Sequence, residues 1–170
     1  MIIGIMSDSH DNLPAIERAV EFFNKNGAEL LLHAGDYVAP FVGRALGKFK
    51  GGFRGVFGNN DGERNMLRKV LGVEGDFLEL EIEGLKIAML HGTDERIVNA
   101  LLRSSLYDVV VVGHTHKYEI VEVGGTILVN PGETCGYLTS IESVALLDTR
   151  ERVVRIVNLK TEELLGAMSI

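Results

Sequence analysis

The segment Ile2-Ile3-Gly4-Ile5-Met6-Ser7-Asp8-Ser9-His10 decides the fold. Its first five residues form the apolar run expected of a strand buried on both faces, and Asp8, Ser9 and His10 form a short polar loop at its end. The same layout returns four more times. Gly35-Asp36 follows the apolar run from residue 30 to 33, Gly58-Asn59-Asn60-Asp61 follows 53–57, His91-Gly92 follows 85–90, and Gly113-His114-Thr115-His116 follows 109–112. Only five histidines occur in 170 residues and four of them fall in these segments, an alignment that scattered surface histidines would not produce.

Working outward, the runs alternate with amphipathic stretches. Residues 13–26 place Ile16, Val20 and Phe23 on one face of a helix, with Asn12 as its cap and Pro14 tolerated in its first turn. Residues 39–49 and 63–71 read as the next two helices, the latter capped by Asp61. The first half is therefore βαβαβα. Residues 77–83 and 85–90 alternate apolar with polar around Gly84, as a hairpin does. Thr93 or Asp94 can cap a helix to about Ser105, and strands follow at 109–112, 119–123, 126–129, 141–148 and 152–159, with Gly124-Gly125 as a tight turn. Residues 161–170 read as a loosely attached tail. One domain, 1–170, is expected: two packed sheets with helices on their outer faces.

Composition sets the outer bounds. A chain of 170 residues can bury roughly 70% of the surface its unfolded form exposes, enough for an unstapled core. The single cysteine, Cys135, allows no intrachain disulfide, the start of the chain lacks the pattern of a secretory signal, and no apolar run approaches the ~20 residues of a membrane span. A cytoplasmic protein without a membrane partner is the expectation. Net charge is −7, the wrong sign for gripping long nucleic acid.

Imidazole nitrogen and carboxylate oxygen suit divalent transition metals, and two ions about 3.5–4 Å apart commonly share a carboxylate. Seven side chains fit: Asp8, His10, Asp36, Asn59, His91, His114 and His116. Asp8 and His10 can face one ion from a turning loop, Asp36 could bridge, and the two-residue spacing of His114 and His116 can direct them to different ions. Two divalent ions against Asp8 and Asp36 leave about two positive charges, suited to a phosphate ester.

This ordered set, Asp-x-His, Gly-Asp, Gly-Asn-x-Asp, His-Gly and Gly-His-Thr-His, resembles the calcineurin-like metallophosphoesterases over nearly the whole chain, and within them the small YfcE-type phosphodiesterase group with its archaeal members. The resemblance implies a four-layer αββα sandwich of two mixed sheets. It also implies a dinuclear site with Asp8, His10, Asp36 and His116 on one ion and Asp36, Asn59, His91 and His114 on the other. Manganese or nickel is favoured, with iron, cobalt and zinc compatible. The implied reaction is hydrolysis of a small phosphodiester by in-line attack of a metal-bridging hydroxide, with Asp36, Asn59, Asn60 and His114 at the reacting centre. Asn60 stands where many superfamily members carry a proton-donating histidine, and asparagine cannot replace that function at neutral pH. Aryl esters with acidic leaving groups should therefore react best.

Relatives often show a serine at Glu133, where a carboxylate could filter substrates; Asp61 and Glu133 are placed behind the ligands or at the pocket rim, and Asn130-Pro131-Gly132 is a turn by composition that the resemblance brings near the site. His33 reads as a core histidine, Cys135 as a buried thiol, and Arg64, Arg96 and Lys117 as surface cations flanking ligand loops. The alternatives are a phosphomonoesterase or nuclease, or a non-catalytic metal-binding scaffold, since the retromer subunit of vesicle sorting resembles this family too. Phe41, Val42, Phe53 and the 77–90 hairpin offer apolar surface for a homodimer or homotetramer.

Overall fold

The first strand pairs in parallel with the second and antiparallel with the ninth, so it lies inside its sheet and is apolar on both faces. The structure, a computed structural model, describes residues 1–170. Its elements in chain order are β1 (Ile2–Met6), α1 (Leu13–Lys25), β2 (Leu30–His33), α2 (Gly43–Leu46), β3 (Gly52–Gly55), α3 (Arg64–Leu71), β4 (Phe77–Ile82), β5 (Leu85–Leu90), α4 (Glu95–Arg103), β6 (Val109–Val111), β7 (Tyr118–Val123), β8 (Thr126–Pro131), β9 (Ser143–Asp148), β10 (Val153–Asn158) and β11 (Leu164–Ser169). Six strands in the order β11-β10-β9-β1-β2-β3 form one mixed sheet; five in the order β4-β5-β6-β8-β7 form the other.

Alternation along β1 builds the layers. Ile3 and Ile5 face a buried cluster shared with Ile87, Met89, Val109, Val111 and Val129 of the second sheet, so the two sheets pack face to face. On the opposite face, Met6 packs with Ile16, Val20 and Phe23 of α1, Ala45 and Leu46 of α2 and Leu67 of α3. Across the molecule, Leu102 of α4 covers Ala88, Val110 and Leu128. The result is the αββα sandwich.

Side-chain caps account for the starts of two of the four α-helices. Asn12 Oδ1 accepts the Ala15 N–H, Pro14 sits in the first turn of α1, and the Asp94 carboxylate accepts the Arg96 N–H to start α4. Asp61 does not cap α3: the residue preceding that helix is Glu63, which makes no capping side-chain bond. Nor is 39–49 one helix. A single 3-10 turn at Pro40–Val42 leads into the four-residue α2, where Gly43 and Gly47 weaken helical propensity.

The expected loose tail is instead β11, paired antiparallel with β10 from Val153↔Ser169 to Val157↔Leu164. Polar Thr161, Glu162 and Glu163 disguise the turn before it, while Leu165, Met168 and Ile170 pack against the inter-sheet cluster. Val42 is fully buried, so of the apolar residues offered as dimer surface Phe41 and Phe77 are exposed and Val42 is not. No helix is long and apolar enough to cross a membrane.

Candidate metal centre

Five chemistry-bearing loops leave the carboxyl ends of β1, β2, β3, β5 and β6, drawing on both sheets. Backbone bonds knit them together. Asp8 N–H donates to Gly35 O (3.0 Å), His10 N–H to Asp36 O (3.1 Å) and Gly113 N–H to His91 O (2.9 Å), and His114 N–H donates to the Asp8 carboxylate at 3.1 Å. Such close approach requires small residues: a Cβ on Gly58 would lie 2.1 Å from Asp36 Oδ1, and one on Gly113 would lie 1.9 Å from Ser7 Oγ.

Five of the seven candidate ligands have left-handed backbone: Asp8 (φ 51°), His10 (39°), Asp36 (63°), His114 (69°) and His116 (62°). The β-branched Val38, two residues beyond Asp36, joins them at 80°. Conformations of this kind cost on the order of 1 kcal/mol or more each and persist where surrounding contacts over-determine them. Asp61 supplies that constraint, its buried carboxylate accepting the N–H groups of Gly58 (2.7 Å), Val38 (2.8 Å) and Asp36 (3.0 Å). Burial pushes the Asp61 carboxyl up, and the three amide donors oppose it.

The side chains converge. His91 Nε2 lies 3.3 Å from Asp36 Oδ2 and 4.0 Å from Asp8 Oδ1. His10 Nε2 lies 3.5 Å from Asp36 Oδ2 and 3.8 Å from Asp8 Oδ1, and His116 Nε2 lies 3.5 Å from Asp8 Oδ1. Asp8 Oδ1, His10 Nε2 and His91 Nε2 are three of only four buried side-chain polar atoms without a hydrogen-bond partner. Three orphaned lone-pair donors facing a common space cost several kcal/mol in aggregate unless a cation satisfies them, so the residues fit a divalent metal. Asp8, His10 and His116 form one group with ligand atoms within 4.8 Å of one another, and Asp8, Asp36 and His91 form a second.

Further partners orient these rings. His91 Nδ1 meets Ala34 O at 2.8 Å, which leaves Nε2 to face the carboxylates. Both Asp36 oxygens are held by Asn60, through its N–H (2.9 Å) and its Nδ2 (2.7 Å). Burial opposes ionisation of Asp36, but the neighbouring His91 together with Asn60 outweighs it and holds the carboxyl well below the usual range. The adjacent Asp8 carboxylate raises the His10 pKa against the effect of burial; for His91, burial is outweighed by Asp36 and Asp8.

Asn59 and His114 stand beside this cluster. Asn59 Oδ1 lies 3.0 Å from His114 Nδ1, and the His114 ring sits edge-on to His91 with centroids 5.2 Å apart. Glu133 is not at the rim: it is fully buried behind His116, 2.6 Å from its Nδ1. His116, Glu133 and Cys135 also lie within ligand distance of one another, but the Glu133 oxygens accept four N–H or O–H groups and burial pushes the Cys135 thiol up to about 12, so no thiolate is available there. Asn130 ties the histidine loop down, donating to Gly113 O (2.9 Å) and Thr115 Oγ1 (3.0 Å).

His33 is fully satisfied: Gly35 N–H donates to Nδ1, Ser9 Oγ is 2.9 Å from Nε2, and the ring stacks on Tyr37. Burial pushes its pKa down to about 3, keeping it neutral. Arg64 lies over the Phe57 ring, bonded to Gly58 O, Asp61 O and Asp76, on the wall of a groove of about 260 Å³ that Asn59 and His91 also line. Arg96 pairs with Asp94 on the surface, and Lys117 lies exposed just before β7.

The geometry has counterparts. Residues 1–152 match the model of the calcineurin-like phosphoesterase superfamily domain. The chain is 41% identical over 161 residues to a phosphodiesterase of Methanocaldococcus jannaschii, covering 91% of this chain and 97% of that one. A solved structure characterised as an archaeal phosphodiesterase superposes with a TM-score of 0.88 at 40% identity, covering 93% of this chain and 99% of that one. The Escherichia coli phosphoesterase YfcE (TM-score 0.81, 22% identity, 100% of each chain) and the vacuolar protein sorting 29 protein of Cryptosporidium parvum (0.78, 20%, 99% of this chain and 98% of that one) share the fold. With a family match over most of its length, and with two sheets that bring five candidate-ligand loops to one point, the chain belongs to the calcineurin-like phosphoesterase superfamily.

Proposed function

We propose that the protein is a metal-dependent phosphodiesterase acting on a small phosphodiester at a dinuclear centre. The observation that carries this reading is the convergence of His10, His91 and His116 Nε2 on Asp8 Oδ1 and Asp36 Oδ2, with three of those five atoms buried and unpartnered. The 41% identity to a named phosphodiesterase supports the substrate class. Asp8, His10, Asp36 and His116 would hold one ion, and Asp36, Asn59, His91 and His114 the other. Two divalent transition-metal ions, manganese or nickel in our reading, supply when bound an activated water and the positive charge that in-line displacement at phosphorus needs.

The protein's own residues do the rest. Asp36 stays ionised, and Asn60 fixes the plane of its carboxylate. Asn60 has no proton to give, so the leaving oxygen departs unaided by that side chain and acidic leaving groups are favoured. Arg64, held by two carbonyls beside Asn59, presents its guanidinium to the groove through which the ester's second substituent enters.

The test is hydrolysis of bis-p-nitrophenyl phosphate by chelator-stripped protein reloaded with manganese, nickel, magnesium or zinc, beside the monoester and an alkyl diester. Metal-dependent cleavage that prefers the aryl diester supports the reading. Tight metal binding with no turnover on any ester would shift it to a scaffold, and equal rates on aryl and alkyl diesters would remove the argument from Asn60.

A further inference from the structure

Glu133 is a fully buried carboxylate in which both oxygens are used. Oε2 lies 2.6 Å from His116 Nδ1 and accepts the Cys135 thiol at 3.4 Å. Oε1 accepts Leu138 N–H (2.9 Å), Thr139 N–H (2.5 Å) and the Thr139 hydroxyl (2.7 Å), and Leu138 N–H also reaches Oε2 at 3.1 Å. The backbone is pinned as well, since Ser143 N–H donates to Glu133 O (3.1 Å) at the start of β9. A side chain held at both oxygens and at its backbone cannot turn away from the imidazole, and an anion facing Nδ1 holds the ring proton on that nitrogen. Nε2 is then left as a lone pair, 3.5 Å from Asp8 Oδ1.

We propose that Glu133 is a positioning residue for His116: it locks the ring in the Nδ1–H tautomer with Nε2 presented to the metal centre, and it ties that ring to the loop carrying exposed Tyr137 and Leu138. Nε2 acting as a metal ligand rests on the function proposed above; the tautomer does not. Because the loop donors share the carboxylate with His116, order in residues 137–139 and the set of the ligand ring are coupled through one side chain.

Glu133→Gln separates the two roles of the carboxylate. The amide oxygen stays with the Leu138 and Thr139 donors, and the amide NH2 then faces Nδ1, which forces the ring proton onto Nε2. Two-bond ¹H–¹⁵N correlation spectra of the metal-free protein, taken where the ring is neutral, should show Nδ1–H in the wild type, Nε2–H in Glu133→Gln, and Nδ1–H again in Glu133→Asp, which keeps the charge. Manganese or cobalt affinity should fall about 10- to 100-fold in Glu133→Gln. In a His116→Ala background the same change should alter affinity by less than about twofold, because its effect passes through that ring. An Nε2–H tautomer in the wild type, or an unaltered tautomer in Glu133→Gln, overturns the proposal. Failure of the wild type to bind any divalent ion would count against the proposed function, and the spectra of the metal-free protein would still decide the role of Glu133.

Discussion

The site has an inner and an outer half, and they are built differently. In the inner half Asp8, Asp36 and His91 are buried, and the surrounding loops over-determine them: Asp61 gathers three amides, Ala34 O sets His91, Asn60 sets Asp36 and Glu133 sets His116. In the outer half Asn59 is exposed, and its Oδ1 meets His114 Nδ1 and, at 3.4 Å, the Thr93 hydroxyl. Two levels of preorganisation follow. The inner half is already arranged for a cation and would bind its ion tightly, whereas the outer pair would spend part of its binding free energy on ordering exposed Asn59 and half-buried His114.

The largest expected effect breaks the inner half. Asp36→Asn should lower diester turnover on the order of 10²–10³-fold and weaken both ions, because Asp36 lies between His10 and His91. Asn59→Ala should be as damaging to turnover yet leave one ion tightly held, which metal analysis after gel filtration would show. If Asn59→Ala lost both ions, the two halves would not be distinct.

Next comes the framework behind the inner half. Asp61→Ala leaves three amides unpartnered, two of them buried, beside the strained Val38 and should cost about 3 kcal/mol or more, read from chemical denaturation. An equal change on Glu63→Ala would contradict the assignment, since Glu63 only precedes α3 and caps nothing.

His33 offers an effect that depends on pH and separates the framework from the ligands. Its folded pKa is about 3 against an ordinary 6.5, so between those values the unfolded chain binds a proton that the folded chain does not. Stability from this residue is therefore complete above pH 6.5 and is lost as pH falls through that window, by about 1.4 kcal/mol per pH unit. His33→Gln should flatten that part of the stability profile, and a profile identical to that of the wild type would refute the buried neutral ring.

The smallest effect lies at the groove. Arg64→Ala should raise KM for an aryl diester about threefold, the scale of a part-exposed charge, and leave metal content untouched.

Much of this was legible before the structure because spacing carries it. An apolar run followed at once by Asp-x-His or Gly-His-Thr-His marks a strand end, and five such ends must meet if the strands share one sandwich. The backbone that aims the candidate ligands was not legible, since nothing about Asp8 or His116 as residue types announces a positive φ. Asp61 could be read as a cap or as a residue behind the candidate ligands, and Glu133 as behind them or at the rim; the sequence left both choices open because a carboxylate beside a glycine-rich loop can point toward the helix, the solvent or the site, and only the packed loops select the direction. In the fold, Gly43 and Gly47 interrupted a helix that apolar spacing alone suggested, and polar residues 161–163 concealed the turn into β11. Removing residues 164–170 should accordingly lower the melting temperature, where a free tail would leave it unchanged.

The central claim, that the inner cluster with its outer pair holds two ions, is tested most directly by counting metal. Native mass spectrometry of the chelator-stripped chain titrated with manganese should show two sequential additions in the wild type, one in Asn59→Ala and none of comparable strength in Asp36→Asn. No bound ion in the wild type, or two ions retained in Asp36→Asn, would contradict it.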